Sequence, residues 1–365
     1  YSKIYQKKTH HEHILSLSDT YIGSIEPEMK EMYIYEDNKI KKKNIEYIGG
    51  LYKLFDEGIV NSRDHTIRDK TCKTIKVNID RDTNRITIMN DGTPIPIDIH
   101  PEHNVYYAEL IFGHLLTSSN YEQKGKTVGG KNGYGAKLIN IYSTEFVIDV
   151  CDHKAKKRYY QKFTNNMYKK EKPIITKYDK RKSYTSISFI PDFSRFKTDR
   201  LSDDMIALFK KRVYDIAACT QNKIKVYLDD ELIKVDNFEE YINMFYSDDN
   251  KPEHVFEIVN NRWTIGVIYD PSAGYTHVSY VNGICTFQGG RHVDHVMSQI
   301  INGVVKYINN KHKNINVKNS HVRDNLTLFI NCVIEDPSFT SQTKEYLSNK
   351  VSDFGSKCDL SDKFI

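Results

Sequence analysis

The sequence predicts a two-domain protein in which helices pack on β-sheets. Its 365 residues exceed the roughly 150 residues of a typical single domain. Hydrophobic residues make up 39% of the chain and charged residues 28%, as in folded globular proteins and unlike disordered or membrane chains. Segments of helical periodicity alternate with segments of strand periodicity, and this order is typical of helix-on-sheet layers.

The first 25 residues differ from the rest of the chain. Residues 1–25 mix basic and polar positions with isolated apolar ones, so no continuous apolar face forms. We expect an extended arm that has no core of its own and must pack on another surface.

The predicted first domain, residues 26–236, begins with a strong helical pattern. Apolar side chains recur every three or four residues between Ile45 and His65, which predicts an amphipathic helix. A β-hairpin follows, because TIKVNID and RITIMN alternate apolar and polar residues around the turn-rich DRDTN. The remaining patterns predict helices over about 106–116 and 205–220, a short helix before TEFVIDV, and strands at TEFVIDV, KRYYQKF, SYTSISFI and KIKVYLDDELI.

The predicted second domain, residues 237–365, is a smaller α/β unit. The strand patterns HVFEIVN, RWTIGVIY and HVSYVNGI come first, before a helix over about 293–309 and the strand LTLFINCVIE.

Composition excludes several classes of protein. The apolar runs are far shorter than the ~20 residues that span a bilayer, and the start is not a signal peptide, so we expect an intracellular protein without a membrane partner. The six cysteines are scattered without a C-x-x-C pair, and buried reduced thiols are expected. The formal net charge is +5, with basic runs at 41–43, 154–158, 169–182 and 306–318. Such runs are usually solvated faces, and weak nucleic-acid contact is the alternative.

The predicted helix carries a second, polar side. Glu57, Asn61 and Asp64 are four and seven residues apart, so they project together, opposite the apolar stripe. A carboxylate beside an amide oxygen can orient a water and supply an oxygen ligand to Mg²⁺. Taken alone, a polar helix side is more often simply solvated.

The second hairpin strand ends at Asn90, Asp91 and Gly92. The Asp91 carboxylate is able to accept a hydrogen bond from an exocyclic amine, and Gly92 permits close approach of the backbone. An Asp-Gly pair at a strand end is also an ordinary turn, which by itself is the favoured interpretation.

A glycine-rich segment, GGKNGYGAK over 129–137, precedes a short helical pattern. Several backbone amides at a helix start are suited to holding phosphate oxygens. The order G-x-x-G-x-G does not match the dinucleotide fingerprint, and Asn120 stands where a P-loop ending at Lys126-Thr127 requires glycine. A ligand-free flexible loop remains the alternative.

These signals occur in the order and spacing of one known nucleotide site. LYKLFDEGIVNSRDH, NDGTPIPI, LIFGHLLTSSNY and GGKNGYGAKL resemble the Bergerat (GHKL) ATP-binding fold shared by gyrase, heat-shock chaperones, MutL proteins and histidine kinases. NGYGAK and LLTSSNY resemble eukaryotic-type topoisomerase II, as do YQKKTHHEHIL, DTYIGS, PDFSRFK, GGRHVDHV and SFTSQTKEYL. The resemblance covers almost the whole chain. It implies a GHKL helix-on-sheet sandwich, mixed α+β or α/β, followed by a smaller α/β transducer domain.

The resemblance also implies ATP and Mg²⁺ as ligands. Glu57 would be the general base for the attacking water, Asn61 the Mg²⁺ ligand and Asp91 the reader of the adenine. Gln342 and Lys344 of the transducer would reach the γ-phosphate and take part in catalysis. The other implied nucleotide contacts are Asp64, His65, Asn90, Ser118, Ser119, Asn120, Lys131, Asn132, Gly133, Tyr134, Gly135, Ala136 and Lys137.

Three positions depart from the family pattern. His65 replaces the last asparagine of N-A-A-D-N, so a ribose or phosphate contact is altered. Pro94 replaces the second glycine of D-x-G-x-G and removes an amide donor. Lys131 stands where relatives often carry arginine, which exchanges a forked contact for a point charge.

The family's partners are a second copy and double-stranded DNA. The resemblance implies an ATP-closed homodimer, with the N-terminal arm and the ATP-binding domain at its interface. Sequence-independent DNA contacts are implied for four lysines: Lys306, Lys311, Lys313 and Lys318. The absence of an initial Met and the stop at DKFI suggest a fragment that would not cleave DNA by itself. The departures suggest a diverged member from a large DNA virus, replicating in the host cytoplasm, or else a nuclear protist enzyme.

Two rival functions are less well supported by the motifs. Another ATPase of the superfamily, a chaperone or MutL protein, would lack the segment SQTKEYL after a second α/β domain. A non-catalytic basic scaffold for DNA would have no need of Glu57 and Asn61, which are both present.

Overall fold

The computed structural model describes residues 8–115, 125–129, 134–220, 224–246 and 252–365. The chain divides into two compact units. The first comprises Tyr1–Glu36, Lys41–Glu122 and Gly130–Lys234, and the second comprises Asp37–Ile40, Gln123–Gly129 and Val235–Ile365, as far as their residues are described. The helical periodicities and the alternating strands of the sequence therefore build two separate cores.

The N-terminal segment is helical and not extended as expected. Helices α1 (His10–Ser16) and α2 (Ser18–Tyr21) form here, and a capping box between Thr9 and Glu12 fixes the start of α1. Ile14 of α1 is fully buried, and Tyr142 donates a hydrogen bond of 2.6 Å to its carbonyl oxygen. The expectation of an extended arm was wrong for these residues, because isolated apolar positions suffice when a larger domain buries them.

Two strands that the sequence did not predict follow. Strands β1 (Glu28–Glu36) and β2 (Lys39–Tyr47) pair as a two-stranded sheet. Ile45 and Tyr47 are buried, while Glu46 between them is exposed. This alternation is that of a strand, so the predicted helix begins later than Ile45, at Gly49.

The first unit is built on a nine-stranded mixed sheet. Its strands are β3 (Thr74–Asp80), β4 (Arg85–Asp91), β5 (Ser143–Asp152), β6 (Lys157–Thr164), β7 (Lys169–Lys170), β8 (Ile174–Lys177), β9 (Tyr184–Pro191), β10 (Lys225–Leu228) and β11 (Glu231–Leu232). They lie in the order β11-β10-β3-β4-β9-β5-β6-β7, with β8 also paired to β6. Strands β3 and β10 are parallel, and the other pairs in this sheet are antiparallel. The predicted hairpin of β3 and β4 is confirmed.

Besides α1 and α2, the described part of this unit contains α3 (Gly49–Arg68), α4 (Tyr107–Gly113), α5 (Gly135–Ile141) and α6 (Asp203–Cys219). Helix α3 packs on the sheet through Gly58, where a β-carbon would lie 2.7 Å from the Cδ1 atom of Ile88 in β4. Its Phe55 stacks on Phe209 of α6, with ring centroids 4.4 Å apart. The predicted strand KIKVYLDDELI is instead the hairpin β10–β11, because Asp229 and Asp230 both have positive φ and turn the chain.

The second unit is a five-stranded sheet with one long helix. Its strands are β12 (His254–Asn260), β13 (Trp263–Tyr269), β14 (Thr276–Val281), β15 (Ile284–Cys285) and β17 (Leu326–Cys332), and a separate pair is β16 (Gly289–Gly290) with β18 (Tyr346–Leu347). Its helices are α7 (Phe238–Asn243), α8 (Arg291–Lys311) and α9 (Asn319–Arg323). Helix α8 buries Val293, Val296 and Ile300 in a core with Trp263 of the sheet. A short 3-10 turn, Val351–Asp353, follows β18.

All six cysteine side chains are buried, and none forms a disulfide. The expectation of reduced thiols is therefore confirmed. No helix within the described part of the chain combines the length and the apolar character needed to cross a membrane.

A buried ionic network joins α3 to α6. Arg212 Nε lies 2.7 Å from Asp56 Oδ1, and Arg212 and Lys211 both approach Asp215 on the same helix. These side chains are at most 5% exposed, so each charge depends on its partner in a medium of low dielectric constant.

Removing Asp56 from this network should destabilise the first unit. Asp56→Ala removes the carboxylate that lies 2.7 Å from the buried Arg212 guanidinium, and we expect a loss of about 3 kcal/mol in the free energy of unfolding. The control is Asp203→Ala, which breaks an exposed pair with Arg81 and should cost less than about 1 kcal/mol. Urea denaturation checks this, and equal losses in the two variants would contradict it.

Candidate functional site

The predicted polar side of α3 is inside the protein. Fifteen of the twenty residues of α3 are buried, including Glu57 and Asp64, and Asn61 is half-buried. A solvated helix face, the simpler alternative, is therefore wrong for Glu57 and Asp64. Buried carboxylates require specific partners, and those partners define the surroundings of the site.

The Glu57 carboxylate has two different neighbours. Its Oε1 atom lies 2.7 Å from the Nζ atom of Lys53, one helical turn earlier. The same Nζ atom also lies 3.8 Å from Asp56 Oδ2. Its Oε2 atom faces Gly135, where an added β-carbon would overlap the carboxylate. One oxygen is thus held by a lysine, while the other faces the first residue of α5.

Helix α5 places a second predicted site residue, Lys137, in the interior. Lys137 is only 2% exposed, and burial lowers the pKa of its ammonium to about 8. A buried cation gains strongly when an anion approaches it. Tyr134 and Ala136, next to Gly135, are half-buried. The implied phosphate cradle therefore coincides, in its described part, with a helix start next to Glu57.

The C-terminal end of α3 meets the end of β4. Asp91 is the last residue of β4, and its Oδ1 atom accepts hydrogen bonds from the amides of Lys73 (2.7 Å) and Thr74 (2.8 Å). The Nδ2 atom of Asn90 donates to the Asp91 carbonyl oxygen at 3.1 Å. The Asp91 carboxylate thus fixes the loop before β3, and its contact with adenine stays a prediction.

Position 92 requires glycine, because of both the backbone conformation there and the atoms that surround it. Its φ is +92°, and a β-carbon would lie 2.7 Å from Asp69 Oδ2 and 2.8 Å from Cys72 Cβ. Asp69 in turn accepts hydrogen bonds from the Thr93 amide at 2.6 Å and from Thr71. Sequence reasoning did not single out Asp69, although it follows α3 directly and anchors this turn.

His65 is in the last helical turn of α3 and lies beside the chain turn at Gly92. Its Nε2 atom is 3.6 Å from Asp69 Oδ2. Burial lowers the His65 pKa, against the opposing effect of Asp69, so the imidazole is neutral at pH 7. Burial acts to raise the Asp69 pKa, but the hydrogen bonds from Thr93 and Thr71 outweigh it and leave that pKa well below its ordinary value. A neutral ring next to an ionised carboxylate presents a donor and an acceptor, as the replaced asparagine would.

Six predicted contacts lie outside the described residues. They are Ser118, Ser119, Asn120, Lys131, Asn132 and Gly133.

In the second unit, the two predicted catalytic residues lie just before β18. Lys344 is 7% exposed and has φ +61°, a backbone conformation that residues other than glycine rarely adopt. Gln342 is half-buried. Gln288 tethers the segment, because its amide donates to the Glu345 carbonyl oxygen at 3.0 Å and its Nε2 to Glu345 Oε2 at 2.6 Å. This tether was not evident from the sequence, since 57 residues separate the two partners.

The four lysines with implied DNA contacts are exposed. Lys306 and Lys311 lie in the C-terminal half of α8, and Lys313 and Lys318 lie in the segment between α8 and α9. Their exposure is compatible with a solvated face as well as with a phosphate contact.

A buried helix with glutamate and asparagine, an Asp-Gly strand end and a glycine at the start of the next helix are the features of a GHKL ATP-binding domain. The family model for histidine kinase-, DNA gyrase B- and HSP90-like ATPases matches residues 47–164, and that for DNA gyrase B matches residues 224–365. The chain is therefore an ATPase of the GHKL class with a second domain of the gyrase B type.

Solved structures and a curated relative narrow this class to one family. The ATPase region of Saccharomyces cerevisiae topoisomerase II is 41% identical, with a TM-score of 0.93 over 100% of this chain and 94% of that one. The ATPase and transducer domains of DNA topoisomerase II from Balamuthia mandrillaris are 42% identical, with a TM-score of 0.93 over 100% and 93%. DNA topoisomerase 2 of Acanthamoeba polyphaga mimivirus is 48% identical over 99% of this chain, which spans 29% of that protein. The chain belongs to the DNA topoisomerase II family and corresponds to its ATPase region.

A substitution that adds one methyl group at position 135 tests the contact between Gly135 and Glu57. Gly135→Ala should push the Glu57 carboxylate aside and lower ATP turnover about 100-fold, since a displacement of ~1 Å is costly in an active site. Gly49→Ala is the control, because its β-carbon meets nothing closer than 3.5 Å and should leave turnover unchanged. Steady-state ATP hydrolysis checks this, and normal turnover in Gly135→Ala would show that the contact is unimportant.

The lowered pKa of Lys137 predicts a pH dependence of nucleotide binding. A polyanion favours the charged ammonium, so affinity is full below about pH 8 and falls as the pH rises above it, by up to tenfold per pH unit. Isothermal titration with a non-hydrolysable ATP analogue from pH 7 to 9.5 measures this. Lys137→Arg, which stays charged, should bind with a flatter pH profile. Identical profiles would exclude Lys137 as the titrating group.

Proposed function

We propose that this chain binds and hydrolyses ATP as the N-terminal gate of a type II DNA topoisomerase. Binding of ATP closes two copies into a dimer around a DNA duplex, which then passes through a break made elsewhere in the enzyme. One observation supports this above the others: the buried Glu57 carboxylate is held by Lys53 and faces Gly135 at the start of α5.

Glu57 is the proposed general base. Lys53 fixes Oε1 and so restricts the rotation of the carboxylate, while Oε2 on the side of Gly135 is the atom that would orient the attacking water. Hydrolysis of a phosphoanhydride depends mainly on such positioning and on stabilisation of charge. Lys53 is thereby a positioning residue of the proposed reaction, and a spacing of four residues on one helix gives it this geometry.

Mg²⁺ fits the donor set beside this base. Asn61 lies one turn after Glu57 on α3 and offers an amide oxygen, a hard donor of the kind that Mg²⁺ accepts in small number. The ion would neutralise charge on the phosphates. Asn61 would hold it together with phosphate oxygens and water.

The nucleotide would extend from Glu57 toward the turn at Gly92. Lys137, with the amides of Tyr134, Gly135 and Ala136, would hold the phosphates. Asp91 and the neutral His65 would contact the adenine and the ribose. Asp64 and Asn90 are buried within the same region of the first unit and would support these contacts. The roles of Ser118, Ser119, Asn120, Lys131, Asn132 and Gly133 remain predictions, as do contacts of Gln342 and Lys344 with the γ-phosphate.

The proposed partners are a second copy of the chain and double-stranded DNA. The N-terminal segment and the ATP-binding unit would form the dimer interface, and Lys306, Lys311, Lys313 and Lys318 would contact DNA phosphates without regard to sequence. This proposal rests on membership of the topoisomerase II family, to which the solved Saccharomyces cerevisiae and Balamuthia mandrillaris structures belong. A site of action in the host cytoplasm, or in a nucleus, remains a prediction.

The proposal is tested by separating hydrolysis from closure. Glu57→Gln should lower ATP turnover by about 10²- to 10⁴-fold and still bind nucleotide, because the base is lost while the phosphate contacts remain. Glu46→Gln, on an exposed position of β2, is the control and should behave as the unaltered chain. Turnover is measured together with the mass of the protein in solution, with and without a non-hydrolysable ATP analogue.

The results discriminate between two functions. Analogue-dependent dimers in both variants, with turnover lost only in Glu57→Gln, would support the gate. If the unaltered chain binds DNA but no nucleotide, it is instead a basic scaffold for DNA.

A further inference from the structure

Two basic turns of the first unit lie side by side. One, residues 153–157, is the turn from β5 to β6 together with the first residue of β6. The other, residues 177–183, is the last residue of β8 together with the turn to β9. In sequence they are 20 residues apart and each resembles an ordinary solvated run of charge. We call the two turns together the basic turn surface.

Hydrogen bonds join the two turns into one structure. The Tyr178 amide donates to the Lys156 carbonyl oxygen at 3.0 Å, and the Tyr178 hydroxyl donates to the Lys182 carbonyl oxygen at 2.7 Å. The His153 amide donates to Ser183 Oγ at 3.0 Å, and the His153 ring contacts the same oxygen at 2.8 Å. The positions of the charges are therefore set by backbone contacts and by the pairing of β6 with β8.

The basic turn surface carries more positive charge than the chain as a whole. It holds seven cationic side chains and one acid, Asp179, whereas the formal net charge of the protein is +5. The cations are Lys154, Lys156, Lys157, Lys177, Lys180, Arg181 and Lys182, and all seven residues are exposed. The rest of the chain is close to neutral, so the positive character of this protein is concentrated here.

Neighbouring acids neutralise little of this charge. Lys157 lies 3.7 Å from Asp98 and Lys177 lies 3.0 Å from Asp179. The other five cations form no ion pair with any residue that the structure describes. Lys157 and Lys177 are also direct partners across β6 and β8, and like charges placed opposite each other reduce the stability of a sheet. An arrangement that costs stability and leaves cations without counter-charges is suited to an external polyanion.

We propose that the basic turn surface binds the phosphate backbone of double-stranded DNA. The choice of DNA rests on the proposed function, which brings a duplex to this protein; the charge pattern itself requires only a regular array of phosphates. The contact would be independent of sequence and sensitive to salt, because lysine side chains on turns neutralise phosphates without reading bases. It would give the ATP-binding unit its own hold on DNA, separate from the lysines of the second unit.

The test compares two variants of equal net charge. In the first, Lys154, Lys156, Lys180 and Arg181 are each changed to Gln, which removes four cations of the basic turn surface. In the control, four exposed lysines elsewhere, Lys225, Lys234, Lys350 and Lys357, are changed to Gln. Binding of a fluorescent 40-base-pair duplex is measured by anisotropy, without nucleotide, from 50 to 200 mM salt. ATP turnover without DNA is measured in parallel.

We expect the first variant to bind DNA at least tenfold more weakly at 50 mM salt, with the slope of log affinity against log salt reduced by about 3. The control variant should change both quantities far less, and both variants should retain basal ATP turnover. Equal losses in the two variants, or an unchanged slope in the first, would overturn the proposal. So would loss of binding to vesicles containing 30% phosphatidylserine with DNA binding intact, which would identify an anionic membrane as the partner. If the unaltered chain hydrolyses no ATP but the DNA results are as expected, the proposed gate fails while the basic turn surface stands.

Discussion

Most residues of helix α3 are buried, so the charges on its buried side chains must be balanced inside the protein. Asp56 is balanced by Arg212 of α6, and Glu57 by Lys53 of α3 itself. The first pair fastens the two helices, while the second leaves one carboxylate oxygen facing away from its lysine. Because burial makes both pairs costly to disrupt, the same physical constraint stabilises the fold and orients the proposed base.

The approach of α5 to α3 depends on a missing side chain. Gly135 lets the start of α5 reach the Glu57 carboxylate, which an added β-carbon would overlap. At the far end of α3, Gly92 similarly lets the end of β4 turn tightly against Asp69 and Cys72. Both glycines of the family motifs therefore act by close approach, and only Gly92 also requires a positive φ.

The two units distribute charge in different ways. The first unit buries two charged residues of the proposed site, Glu57 and Lys137, and collects exposed cations on the basic turn surface. The second unit holds Lys344 in a rarely adopted conformation and secures the neighbouring Glu345 to Gln288.

The sequence by itself determined the long helices, the β3–β4 hairpin and most strands, because their apolar periodicities are local and strong. It also determined the family, since short motifs such as LYKLFDEG and NGYGAK are tied to one nucleotide site. It did not determine where the predicted helix begins, since Ile45 and Tyr47 suit a strand as well as a helix, nor that the N-terminal segment folds, since Ile14 is buried by distant residues. The pairing of Lys53 with Glu57 is local, since four residues separate them on one helix. Only the tertiary structure decided that Gly135 faces the other oxygen of Glu57 and that two basic turns become one surface. Such facts depend on contacts between distant elements, and no local pattern of residues encodes them.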